Sequence, residues 1–210
     1  MRIESVAAQP DRAGRYTVKF EDGAVMRLYR QTVEDFGLYS GKELEEGEML
    51  RLKKAAGQMS AKMRAVRIVS ASSVSKSDLE RRLVQKGENK SDARQAVDWM
   101  ADMGLLDDEK TARQVVERCI VKGYGLARAK QALYEKQIPK TYWDAALSDY
   151  PDQQDKILSF LQSRLGECWD EKDLRRAVDA LLRRGHAYPQ IRKALNALSE
   201  EVDFQEEFYG

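Results

Sequence analysis

Histidine is almost missing from this chain: His186 is the single one among 210 residues. Acid–base and metal sites working near neutral pH lean on imidazole, so hydrolytic and metal-dependent chemistry lacks its commonest side chain here. Cysteine is nearly as scarce. Cys119 and Cys168 stand apart, with no CxxC and no neighbouring histidine, which predicts buried reduced thiols rather than a disulfide or a zinc site. No uninterrupted apolar run approaches the ~18 residues of a membrane span. The opening Met1-Arg2-Ile3-Glu4-Ser5 also lacks the apolar stretch of a signal peptide, and a soluble cytoplasmic protein with no membrane partner is expected. Glycines 14, 23, 37, 41 and 47 form neither GxxxxGK nor GxGxxG, so no phosphate-cradling loop is indicated. An excess of one charge is missing as well. The 36 Lys and Arg face 35 Asp and Glu, and the total selects no partner.

What the total hides is a segregation along the chain. Residues 61–100 carry nine bases against five acids, and residues 171–198 carry seven against three, an excess of +4 in each. The closing "SEEVDFQEEFYG" holds five acids and no base. A basic body thus ends in an acidic tail, expected as a solvated, disordered end, with occupation of the basic face as the alternative.

The first third has the patterning of a small sheet. Tyr16, Val18 and Phe20 alternate with Thr17 and Lys19, Asp22-Gly23 supplies a turn, "VMRLY" alternates again, and residues 3–7 add a third strand. From about Glu45 onward the composition is helical and is broken by single Gly or Pro residues.

The helical part repeats. "LERRLVQKGENKSDARQAV" (79–97), "AKQALYEKQIPKTYWDAAL" (129–147) and "AVDALLRRGHAYPQIRKAL" (177–195) align without gaps. Each begins with an apolar residue and a leucine four later: Leu79/Leu83, Ala129/Leu133 and Ala177/Leu181. A base precedes each break, at Lys86-Gly87, Lys136-Gln137 and Arg184-Gly185, and a second apolar pair follows at Ala93/Val97, Trp143/Leu147 and Ile191/Leu195. The spacing matches a three-helix module. Lead helices are expected near 60–72, 109–122 and 152–165, with Ser75 to Asp78 capping the second helix of the first module and Gly87 ending it in a left-handed residue.

The expected fold is therefore mainly α: tandem three-helix repeats in an elongated, curved array, preceded by a small N-terminal antiparallel β-sheet. The expected domains are the sheet (1–45), repeat one (46–106), repeat two (107–150), repeat three (151–199) and the acidic tail (200–210).

Asp107 and Asp108, between an apolar run and "EKTARQVVERCIVKG", could be half of a catalytic pair, but no convergent partners are visible. Carboxylates at that place accept hydrogen bonds from unpaired backbone N–H groups, for about 1 kcal/mol, and helix capping is the expectation. Cys119 is expected as a core thiol, His186 as a polar corner residue, and Trp99, Trp143 and Trp169 as packing residues within helices. No catalytic residue, metal site or cofactor is indicated.

In its ordered set of motifs the sequence resembles the RecX regulatory proteins of bacteria. The resemblance spans nearly the whole chain, through "GLYSGKEL", "SKSDLERRLVQKG", "GLLDDEKTA", "GYGLARAKQALYEKQI" and "LLRRGHAYPQIRKAL", of which "GLLDDEKTA" and the closing motif are the most specific. Two positions depart from the family pattern: Thr111, where an aromatic is usual, and Gln137, where the corner glycine is usual. The resemblance implies a non-enzymatic modulator of the RecA recombinase. It would bind the nucleoprotein filament along its groove and inhibit ATP hydrolysis, strand exchange and co-protease activity, and so modulate recombinational repair and the SOS response.

A basic face along the second helices would meet acidic filament surface or DNA phosphate. Its candidates are Arg81, Arg82 and Lys86, then Arg128, Lys130 and Lys136, then Arg175, Arg176, Arg183, Arg184, Arg192 and Lys193. Their recurrence at one place in each module is the motive for the assignment. The expected partners are the RecA filament and, through phosphate contacts, DNA, with the protein acting as a monomer. The competing expectation is a sequence-independent DNA-binding protein competing for single- or double-stranded DNA; base reading enters because Arg94 and Gln95 would lie on a recognition-like helix. Asp144 and Ala145 at the matching positions of module two argue against it, as does the absence of an amide reader beside Arg192 and Lys193.

Overall fold

The computed structural model describes residues 1–165 and 169–209, with backbone only for 199–209. Cys168 lies outside the described residues. The chain divides into two compact units, Met1–Leu106 and Asp107–Gly210.

In the first unit β1 (Ile3–Val6), β2 (Arg15–Phe20) and β3 (Val25–Tyr29) form an antiparallel sheet in sequence order. The alternation puts Val18 and Phe20 on the buried face with Ile3 opposite Phe20. The turn closes as its composition requires: Gly23 sits at a φ of 85°, and the Ala24 N–H donates to Asp22 Oδ1 at 3.0 Å. A short helix α1 (Arg30–Asp35), which the strand pattern does not foreshadow, follows directly.

The lead helix of the first module, expected from about residue 60, begins at Glu46: α2 runs unbroken from Glu46 to Ala71. Its first half packs Met49 and Leu52 into the core of the sheet. Its second half packs Ala61 and Ala65 against α3 (Lys76–Gln85) and α4 (Lys90–Asp102). A single helix thus belongs to two cores. Gly57 does not interrupt it, and the one close neighbour of a β-carbon there would be the end of the Asp92 side chain, 2.6 Å away at Oδ2.

The second unit contains α5 (Asp108–Val121), α6 (Leu126–Glu135), a 3-10 turn at Lys140–Tyr142 leading into the short α7 (Trp143–Leu147), then α8 (Gln154–Leu165), α9 (Glu171–Arg183) and α10 (Tyr188–Tyr209). Two cores form here. One gathers Ala112, Val115, Val116, Leu133 and Ile138, the other Ile157, Leu161, Leu181, Ile191 and Ala194. All six residues of the early apolar pairs are buried, each large side chain contributing roughly 1.5–3 kcal/mol. The late pair of module two is only half-buried, since α7 is a single turn and a half and the Trp143 indole turns to donate to the Ile138 carbonyl at 3.0 Å. The backbone of the expected acidic tail continues as helix to Tyr209, and its side chains lie outside the described residues.

Helix ends follow their local signals. Ser75 accepts from the Asp78 N–H at 3.1 Å, and Asp107 accepts from the Lys110 N–H at 2.9 Å, so Asp107 is an N-cap and Asp108 lies in the first turn. Thr111, in place of an aromatic, is buried and donates to the Asp107 carbonyl at 2.7 Å. The three corners share one geometry. Gly87, Gln137 and Gly185 have φ of 91°, 53° and 83°, and the residue after each returns an N–H to a leucine carbonyl, at Leu83, Leu133 and Leu181. Trp169, expected in a helix, instead precedes the Asp170 N-cap of α9 and is 40% exposed, because it falls outside the helical stripe.

Candidate interaction surface

The second helices carry the candidate bases, and the structure sorts them into those engaged within the chain and those facing solvent. On α3, Arg81 and Arg82 both pair with Asp78, a carboxylate only 1% exposed, Arg82 at 2.9 Å. Asp78 is a buried carboxylate that these two arginines neutralise together, so they serve stability first. Lys86, at the C-cap of α3, is exposed.

On α6, Arg128 pairs with Glu135 at 2.9 Å, and this hydrogen bond, with a second from Gln131, holds the Glu135 carboxyl below its ordinary range. Lys130 is exposed and Lys136 half-buried. On α9, Arg175 and Arg183 are exposed, Arg176 lies 3.5 Å from Asp173 with both largely solvated, and Arg184 stacks on the Phe160 ring at 4.3 Å. Arg192 and Lys193 lie on the solvent side of α10, opposite its buried Ile191 and Ala194. The structure brings Arg176 and Arg183 together with Arg164 of α8 around a groove of about 340 Å³ whose wall includes Phe160.

Recurrence is narrower than the module pattern suggests. Only the corner base holds the same place in each copy, as Lys86, Lys136 and Arg184. Arg128 and Arg176 share one further position in the second and third copies, where the first has Asp78, and the remaining candidates fall at different positions of their helices. Three arginines outside the candidate set, Arg64, Arg67 and Arg164, also line grooves with members of it. The signal of the first two is present in "RAVRIVSA", where Arg64 and Arg67 lie three residues apart, but only the approach of α3 to α2 closes a groove beside them.

The competing DNA-reading helix finds little support in its geometry. Gln95 accepts from the Gln58 side chain at 2.8 Å, and the element matching α4 in module two is the short α7. Cys119 is buried within α5, and burial pushes its thiol pKa up. Tyr150 is likewise pushed up to about 12 by burial, its hydroxyl donating to the Tyr124 carbonyl at 2.6 Å.

His186 sits at the α9–α10 corner, buried, with Nε2 donating to the Gly123 carbonyl at 3.0 Å. Burial pushes its pKa below the ordinary value against that hydrogen bond, and the Arg184 charge adds to the depression. Nδ1 has no hydrogen-bond partner among the described residues. Among the described residues no group of three or more His, Cys, Asp or Glu could hold a metal ion, and no helix is long and apolar enough to cross a membrane.

No protein-family model matches the sequence. The chain is 31% identical over 123 residues to the regulatory protein RecX of Xanthomonas axonopodis pv. citri (strain 306), covering 57% of this chain and 76% of the relative. It is 26% identical over 149 residues to the regulatory protein RecX of Vibrio campbellii (strain ATCC BAA-1116), covering 70% and 96%. A crystal structure of a regulatory protein RecX shares the fold with a TM-score of 0.61 at 19% identity, over 93% of this chain and 98% of the other.

Proposed function

Because the chain belongs to the RecX family of regulatory proteins, we propose that it binds the RecA nucleoprotein filament as a non-catalytic monomer and inhibits ATP hydrolysis, strand exchange and co-protease activity. Family membership carries this reading. The solvent-facing bases supply its chemistry: Lys86, Lys130, Arg175, Arg183, Arg192 and Lys193 are exposed and able to meet acidic protein surface or DNA phosphate. The repeats are the units of contact, the first through its exposed corner base Lys86, the second through Lys130 and the third through Arg175, Arg183, Arg192 and Lys193. Bridging neighbouring recombinase subunits in this way blocks the movement that ATP turnover requires.

The test is the steady-state ATPase of the cognate recombinase on single-stranded DNA, titrated with this protein at low and moderate salt. Inhibition well below one copy per recombinase subunit supports the reading. Inhibition only once the DNA itself is saturated makes the protein a DNA competitor, and no inhibition refutes the proposal.

A further inference from the structure

On α2, Arg64, Arg67, Ile68 and Ala71 recur at intervals of three and four residues and share one face of the helix. On α3, Arg82 and Lys86 lie one turn apart. The two faces meet in a groove of about 370 Å³ lined by these residues, with four bases and no acidic side chain among them.

Three of the four bases are held from behind. Arg64 Nε donates to Glu88 Oε1 at 2.6 Å, and the same oxygen takes a bond from Ser60 Oγ at 2.9 Å. Arg82 is fixed by Asp78, and Arg67 Nη2 donates to the Ala13 carbonyl at 2.9 Å. Both carboxylates are buried, Glu88 with 8% of its side chain exposed, so the groove turns guanidinium and ammonium groups toward solvent while their counter-charges lie beneath. A guanidinium has five N–H donors, and its holder uses only one or two of them. Side chains already fixed in place lose less rotamer freedom when a ligand arrives.

The lining also says what the ligand is. Several converging cations, with the Ser72 hydroxyl and no carboxylate beside them, suit a chain of closely repeated anions, and arginine forks match phosphate oxygens. No aromatic lines the groove, so a base has nothing to stack on, and no side-chain amide is present to read a base edge. We infer that the α2–α3 groove is a sequence-independent site for the phosphodiester backbone of nucleic acid. This deepens the DNA contact in the reading above and rests on it only for the biological setting.

The experiment is fluorescence anisotropy of the full chain with a labelled oligo-dT and a mixed-sequence oligonucleotide across a salt series. The Arg67→Gln/Lys86→Gln double variant removes two exposed bases, neither bonded to a buried carboxylate. Lys53→Gln/Lys54→Gln, on the exposed side of α2, makes the same charge change outside the groove. At about 50 mM salt the groove variant is expected to bind both oligonucleotides about tenfold more weakly, with the salt slope reduced by about 1–2 and the control changing less than about twofold. Absence of binding by the unaltered chain, no loss in the groove variant, or an equal loss in the control overturns the site. Recombinase inhibition measured on the same variant separates the two proposals. Lost oligonucleotide binding with retained inhibition supports the groove and leaves the filament reading on its protein contacts. Retained oligonucleotide binding with lost inhibition overturns the phosphate site and assigns these bases to an acidic protein surface.

Discussion

The backbones of Gly125 and Gly185 are in contact: a β-carbon built on Gly125 would lie 2.0 Å from the Gly185 carbonyl oxygen, and one on Gly185 would lie 2.3 Å from the Arg128 nitrogen. The approach lets the Gly125 N–H donate to the Arg184 carbonyl at 2.9 Å and the Ala127 N–H to that of Gly185 at 3.3 Å. The unpaired donors at the start of α6 are thus satisfied by the α9–α10 corner instead of by a side-chain cap. Gly125→Ala is expected to destabilise the second unit by about 3 kcal/mol, the upper end of what overpacking costs. Gly185→Ala adds the strain of a positive φ to a similar clash and should cost at least as much. Urea denaturation followed by circular dichroism measures both, and a loss below about 0.5 kcal/mol in either would contradict the contact.

Gln137 offers the opposite change. It occupies the left-handed corner that glycine fills at Gly87 and Gly185, and a non-glycine residue there costs roughly 1–2 kcal/mol. Gln137→Gly recovers that cost and loses about 0.4–1 kcal/mol through the greater freedom of the unfolded chain. A net gain of about 0.5 kcal/mol is expected, visible as a rise of about 1–2 °C in the melting temperature.

The buried His186 makes stability depend on pH in a defined direction. Its pKa is lowered in the fold, so below the ordinary value of 6.5 the unfolded chain takes up a proton more readily than the folded one. The contribution is full above pH 6.5 and is lost as the pH falls through the folded value. Glu135 and Asp11, whose carboxyl pKa values are lowered, lose their contributions only at more acid pH, below 4.5 and 3.8 respectively. Thermal melts between pH 7.5 and 5.5 should therefore show a decline in the unaltered chain that is flattened in His186→Gln. Parallel declines would remove His186 as the cause.

Charge reversal at α9 addresses the filament contact. Arg175 is exposed and Arg176 makes only a solvated pair, so Arg175→Glu/Arg176→Glu should leave stability within about 0.5 kcal/mol. The concentration needed for half-inhibition of the recombinase ATPase is expected to rise several-fold. Unchanged inhibition by the folded variant would take these two residues out of the interface.

The sequence by itself determined most of the helices, with the buried stripes and caps of the repeated ones, because these depend on neighbours within a turn or two; α1 left no such signal. Leu79/Leu83, Ala129/Leu133 and Ala177/Leu181 are buried at the positions their spacing marks, and Ser75 and Asp107 cap the helices they precede. The same local reasoning started the lead helix near residue 60 instead of at Glu46, because it assigned the helix to one module while α2 packs its first half on the sheet and its second half on α3 and α4. It also could not rank the bases. An arginine bonded to a buried carboxylate and one facing water have the same sequence signature. Only packing brings Glu88 to Arg64 across 24 residues and His186 to Gly123 across 63. The tertiary structure decided which charges are engaged within the chain and which remain for a partner, because burial and approach distance, rather than residue type, set the cost of leaving a charge unpaired.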